Sequence, residues 1–92
     1  MIVGFKHKGL EKFFHTGSTA GIQAKHAKKL RLILTRLNSA GKIDDINFAG
    51  SQLHSLNGHM KGLWAISVSG NWRITFAFND GRVDIVNYVD YH

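Results

Sequence analysis

The chain contains no cysteine and no proline. The first absence excludes disulfides and thiolate metal sites, so packing alone must hold the fold, as suits a reducing compartment. The second removes a common marker of stiff linkers. Acidic residues are scarce: six face twelve lysines and arginines, and none lies between Glu11 and Asp44. Lys12, Lys25, Lys28, Lys29, Arg31, Arg36 and Lys42 fill that interval, and the net charge is +6. Such an imbalance in a small domain points to a polyanionic partner, most simply nucleic acid or an acidic protein. A solubilising helix surface is the plainer reading of the same charges. No apolar run approaches the ~20 residues of a membrane span. The opening MIVGFKHKGL lacks the apolar stretch of a secretion signal, so a soluble cytoplasmic protein is expected.

What is present suffices for one core. A chain of 92 residues, 43% of them apolar, is near the lower comfortable size for a single unstapled cluster, so 1–92 is read as one domain. Its last third organises the rest. Gly70-Asn71 and Asp80-Gly81, both tolerant of positive φ, cut residues 63–92 into three strands. Along the middle strand Trp72, Ile74, Phe76 and Phe78 alternate with Arg73, Thr75 and Ala77. One face is thus an apolar wall, and the other presents an arginine framed by small residues.

Residues 2–5 read as a first strand. Leu10, Phe13 and Phe14, at helical spacing, predict a short helix over 9–15, broken by Thr16-Gly17-Ser18-Thr19. Ala27, Leu30, Leu34 and Leu37, widened by Ile33, predict a longer helix over 22–40 with Gly41 as its stop. The stretch 42–62 is irregular, with Asp44-Asp45 placed to cap a turn and Phe48, Leu53 and Leu56 as anchors. The expected class is α+β: an antiparallel sheet of an N-terminal strand plus a C-terminal three-strand meander, with two helices packed on one face.

His54, Arg73 and the tail Asp90-Tyr91-His92, with Lys61 nearby, are the polar groups this arrangement leaves available. RNA is cleaved without a metal when its 2′-hydroxyl attacks the adjacent phosphorus. That reaction needs a base for the 2′ proton, an acid for the departing 5′ oxygen and positive charge at the phosphorane. Histidine titrates near neutrality, and arginine's fork matches phosphate oxygens. His54, His92 and Arg73 supply that set. Each has a plainer reading: His54 as a partly buried histidine between two leucines, Arg73 as a solvated strand residue, His92 as an idle terminus. His54, His59, His92 and Asp90 show no zinc spacing, and no metal or cofactor is expected. His7, His15 and His26 lie among basic residues and are assigned to the surface.

The motifs Leu53-His54-x-Leu56-x-Gly58, Trp64-x-Ile66-x-Val68, Asn71-Trp72-Arg73-Ile74-x-Phe76-x-Phe78 and Asp90-Tyr91-His92 resemble the HigB toxins of the RelE/ParE superfamily. The opening Phe5-Lys6-His7-Lys8-Gly9-Leu10 looks like the same family's, so the resemblance spans the chain. It implies a RelE-like fold and a type II toxin that cuts mRNA in the ribosomal A site, held inactive by a HigA-type helix-turn-helix antitoxin. It implies active-site roles for His54, Arg73, Asp90, Tyr91 and His92. It also gives Lys6, Lys8, Lys12, Lys25, Lys28, Lys29, Arg31 and Lys61 a partner in ribosomal RNA phosphates. One departure stands out: Asn57 occupies a position where many relatives carry lysine, leaving Lys61 to compensate. A ParE-like gyrase inhibitor and a non-catalytic RNA-binding module are the alternatives.

Overall fold

The computed structural model describes residues 1–91. Helix α1 (Lys8–Thr16) starts where His7 Nδ1 accepts the Leu10 N–H at 2.9 Å. It ends at Gly17, whose φ of 80° lets its N–H return to the Phe13 carbonyl at 2.8 Å. Helix α2 (Ala27–Ser39) follows a 3-10 turn, Ala24–His26, so the predicted long helix begins in tighter form. Its stop differs from the expectation. Ala40 leaves the helix in extended geometry, and Gly41 instead donates its N–H to the Asp45 carboxylate at 2.9 Å. That carboxylate also takes the Lys42 N–H, and the two bonds hold its pKa below the ordinary 3.8. Asp45 therefore caps the turn Ile43–Ile46, as its position predicts.

Four antiparallel strands lie side by side in chain order: β1 (His54–Ser55), β2 (Leu63–Ser69), β3 (Trp72–Asn79) and β4 (Arg82–Asp90). Both predicted turns close two-residue hairpins. In the second, Asp80 and Gly81 stand at φ 55° and 79°, the primed geometry that matches strand twist. The meander is as expected, but the other two pieces of the sheet are not. Residues 2–5 make two isolated parallel bridges to β4 rather than a continuous strand, because β4 bulges where they dock. There Ile85 adopts φ 45°, and Asp84 fills the space a side chain on Gly4 would need. The fourth strand is His54–Ser55, inside the stretch expected to be irregular.

The helices cover the face bearing Ile66, Ile74, Phe76, Val83, Val86 and Tyr88, meeting it with Leu10, Phe13, Leu30, Ile33, Leu34 and Leu37. Most of these residues are completely buried. Among the described residues no helix is long and apolar enough to cross a membrane.

Gly9 of α1 rests directly on the backbone of Gly21. Alanine is worth about 1 kcal/mol over glycine inside a helix. A methyl here, however, would collide with the Gly21 carbonyl, which is backbone and not free to swing aside. Gly9→Ala is therefore expected to destabilise the fold by about 1–3 kcal/mol in urea titrations, against its propensity. A rise in midpoint would show that the contact yields.

His26, assigned to the surface from sequence, is 4% exposed and hydrogen-bonded to the Tyr88 hydroxyl. Trp72 stacks on Tyr88 at 4.4 Å, and the rings of His7 and His26 meet Tyr88 edge-on. The chain turns inward at this point because the 3-10 turn before α2 delivers His26 against the sheet. His7 is half-buried, and His15 alone of the three is exposed as expected. Burial lowers the pKa of both His7 and His26 below 6.5; Lys25 adds to the effect on His26. The unfolded chain therefore takes up these protons first as pH falls. Stability is complete above about 6.5 and is lost progressively below it. Circular-dichroism melts should show Tm falling from pH 6.5 toward 5, with His26→Phe flattening the slope. Asp45 contributes nothing in that window, since its pKa lies below 3.8.

Candidate active site

The helix-free face of the sheet carries the site. Register sets His54 opposite Ala65, Ala65 opposite Thr75 and Thr75 opposite Asn87, so these four share one row and one face. Arg73, two residues from Thr75 and opposite Ser67 and Val89, stands in the next row on the same side. Two strand spacings and one side-chain repeat put the His54 and Arg73 backbones roughly 12 Å apart. Ala65 and Thr75, on the floor, are small and buried.

His54 is exposed on the edge strand, and its Nδ1 lies 2.9 Å from the Gln52 carbonyl oxygen. A carbonyl oxygen only accepts, so Nδ1 carries the proton. The neutral ring then presents an unprotonated Nε2 to solvent. That is the form a general base requires.

Arg73 is half-buried, and its Nη1 donates to the Gly70 and Trp72 carbonyls at 2.7 and 3.0 Å. The β2–β3 turn thereby fixes the guanidinium, leaving its Nε and Nη2 donors for an anion. Arg73 is therefore a clamped group at the start of β3, rather than a solvated side chain at mid-sheet.

The tail divides. Tyr91 continues on the Arg73 face: its N–H bonds the Asn71 carbonyl at 2.8 Å, and its hydroxyl points at Met60 Sδ at 3.9 Å. It thus links the turn that holds Arg73 to the 3-10 turn, Gly58–Met60, that follows His54. Asp90 pairs with Trp72 and so belongs to the opposite, helix-covered side. There its charge joins burial, the larger cause, in raising the pKa of Tyr88. His92 lies outside the described residues. Asn57 and Lys61 are both exposed, flanking the Gly58–Met60 turn.

The remaining basic residues are elsewhere. Lys25, Lys28 and Arg31 are exposed on α2 and its lead-in, Lys29 is half-buried there, and Arg31 stacks over Phe13. Lys6, Lys8 and Lys12 line the start of the chain and α1. Of these, Lys29 reaches toward Gly50, in the loop that leads to His54. Among the described residues no three histidine or carboxylate side chains form a metal-ligand cluster. Sequence reasoning missed Gln52 and Met60, whose carbonyl oxygen and Sδ contact His54 and Tyr91. The one available signal was that Gln52 precedes the Leu53-His54 motif.

The chain is similar to known proteins over its whole length. Residues 3–92 match the model of the HigB-like toxins, described as RelE-like toxins of the type II toxin–antitoxin system HigB. A curated relative, "Endoribonuclease HigB" of Proteus vulgaris, is 42% identical over 92 residues, covering the whole of both chains. Among solved structures, the YoeB–YefM complex from Staphylococcus aureus superposes with a TM-score of 0.65. It does so at 16% identity, over 100% of this chain and 95% of that one, so the likeness is one of fold. A RelE-like sheet with two helices on one face, matched over nearly its full length by one family model, places this chain in the HigB-like toxin family.

Proposed function

We propose that this chain is an endoribonuclease that cleaves mRNA in the A site of the ribosome, the toxin of a type II pair neutralised by a HigA-type antitoxin. The observation that carries the reading is the pairing of His54, whose Nδ1 faces the Gln52 carbonyl, and a clamped Arg73 on the helix-free sheet face. The Proteus relative, named an endoribonuclease, supports it across the full length. In this reading His54 Nε2 removes the 2′ proton, and the oxygen attacks the neighbouring phosphorus. Arg73 meets the charge that builds on the phosphorane. Tyr91 joins the turn that holds Arg73 to the turn after His54, and His92 protonates the departing 5′ oxygen. Asp90, behind the sheet, holds the tail.

A ribosome would complete the site by splaying the codon so that the 2′-hydroxyl lies in line. Lys6, Lys8, Lys12, Lys25, Lys28, Lys29 and Arg31 would contact ribosomal RNA phosphates, and Lys61 the message itself. Binding through such contacts weakens steeply with salt.

Primer extension on one message, with and without programmed ribosomes, tests the proposal. Cuts at the A-site codon that require ribosomes would support it. Equal cutting of free RNA would make the chain a general ribonuclease. An intact message in both would refute the nuclease reading and favour a gyrase-directed or purely RNA-binding role.

A further inference from the structure

Between Ser51 and His54 the chain runs beside β2 out of step with it. The Ser51 carbonyl accepts the Ser67 N–H at 2.8 Å, yet His54 already stands opposite Ala65. Gln52 and Leu53 therefore share the space opposite Ile66 alone, which is a one-residue bulge. Ser51 fixes the near side: it is fully buried, and its N–H bonds the Phe48 carbonyl at 3.0 Å. Leu53 packs against the core. The extra residue is absorbed at Gln52, whose φ is +50°. Residues other than glycine, asparagine and aspartate rarely adopt that left-handed geometry, which crowds the Cβ against the backbone. Its local result is that the Gln52 carbonyl oxygen points at His54 Nδ1.

We propose that Gln52 is a positioning residue: its left-handed backbone, anchored through Ser51 to β2, aims a carbonyl that locks His54 as the Nδ1–H tautomer. The catalytic half of this inference rests on the reading of His54 as the base. Neutral histidine in water prefers its proton on Nε2, which would turn a donor rather than a lone pair toward the 2′-hydroxyl. The carbonyl reverses that preference and stops the ring from rotating. The Gln52 side chain is exposed and takes no part in the bond, so the function resides in φ and not in the amide.

Long-range ¹H–¹⁵N correlation spectra of the full chain, recorded above the histidine titration range, read the tautomer directly. His54 is assigned by the signals lost in His54→Ala. In the wild type Nε2 is expected to resonate as the unprotonated nitrogen. Gln52→Asn tolerates the left-handed geometry and should keep both this pattern and the single-turnover cleavage rate on programmed ribosomes. Gln52→Val, β-branched, should move the proton to Nε2 and slow cleavage at least tenfold with KM unchanged. A wild-type Nε2–H tautomer overturns the proposal without any variant having to fold. So does a Gln52→Val protein that retains Nδ1–H. A shifted tautomer with unchanged cleavage would instead uphold the positioning and overturn the role of His54 as base.

Discussion

Replacing His54 by alanine is expected to slow cleavage of ribosome-bound message by about 10²–10⁴-fold, the usual contribution of a positioned general base. The variant should fold as well as the wild type. The side chain is exposed, and its hydrogen bond to the Gln52 carbonyl is at a surface where water replaces it. Stability should therefore change by no more than about 0.5 kcal/mol. Single-turnover rates with saturating protein, beside a thermal melt, separate the two quantities. Because the missing group is a proton acceptor, free imidazole should restore part of the rate to His54→Ala. A variant that cleaves at the wild-type rate would remove His54 from the chemistry.

Arg73→Ala should be nearly as damaging, by about 10²–10³-fold in kcat, the cost of removing one preorganised donor to a developing oxyanion. The phosphorane carries more charge than the substrate, so the loss should appear in kcat with KM little altered. Lysine should recover only a minor part. It supplies the charge, but it cannot both hold the Gly70 and Trp72 carbonyls and present a fork to phosphate. Those same carbonyls make Arg73 a brace of the β2–β3 turn, so Arg73→Ala should also cost about 1 kcal/mol of stability. The kinetic assay is accordingly run well below the melting range. Equal kcat in Arg73→Ala and wild type would reduce Arg73 to that structural role.

Short-range signals were legible without coordinates. Gly70-Asn71 and Asp80-Gly81 announced the two hairpins because only residues tolerant of positive φ close two-residue loops. Leu10 with Phe13, and Leu30, Ile33, Leu34 and Leu37, announced two helices because their spacing permits a single buried stripe on each. Alternation along β3 likewise separated Ile74 and Phe76 from Arg73, and that separation determines which face is free of helices.

Long-range pairing decided what local pattern leaves open. Two bulges did most of this. The one at Ile85 buries Val83 and Val86, three apart rather than two, and turns residues 2–5 from a predicted strand into two bridges. The one at Gln52 makes an edge strand of His54–Ser55, in a stretch whose brief apolar–polar alternation, running into a turn, did not fix a partner. A bulge is invisible to periodicity because it is a mismatch between two strands, and neither sequence alone contains it. His26 is the same case in another form. Its lysine-rich neighbours describe a surface, while the Tyr88 hydroxyl, 62 positions away in the chain, provides the partner that makes burial tolerable. Residue types and their spacing were thus enough to nominate His54 and Arg73 as chemical groups. Their common face, the tautomer of one and the clamp on the other depend on which strands lie side by side, because register and backbone carbonyls set direction.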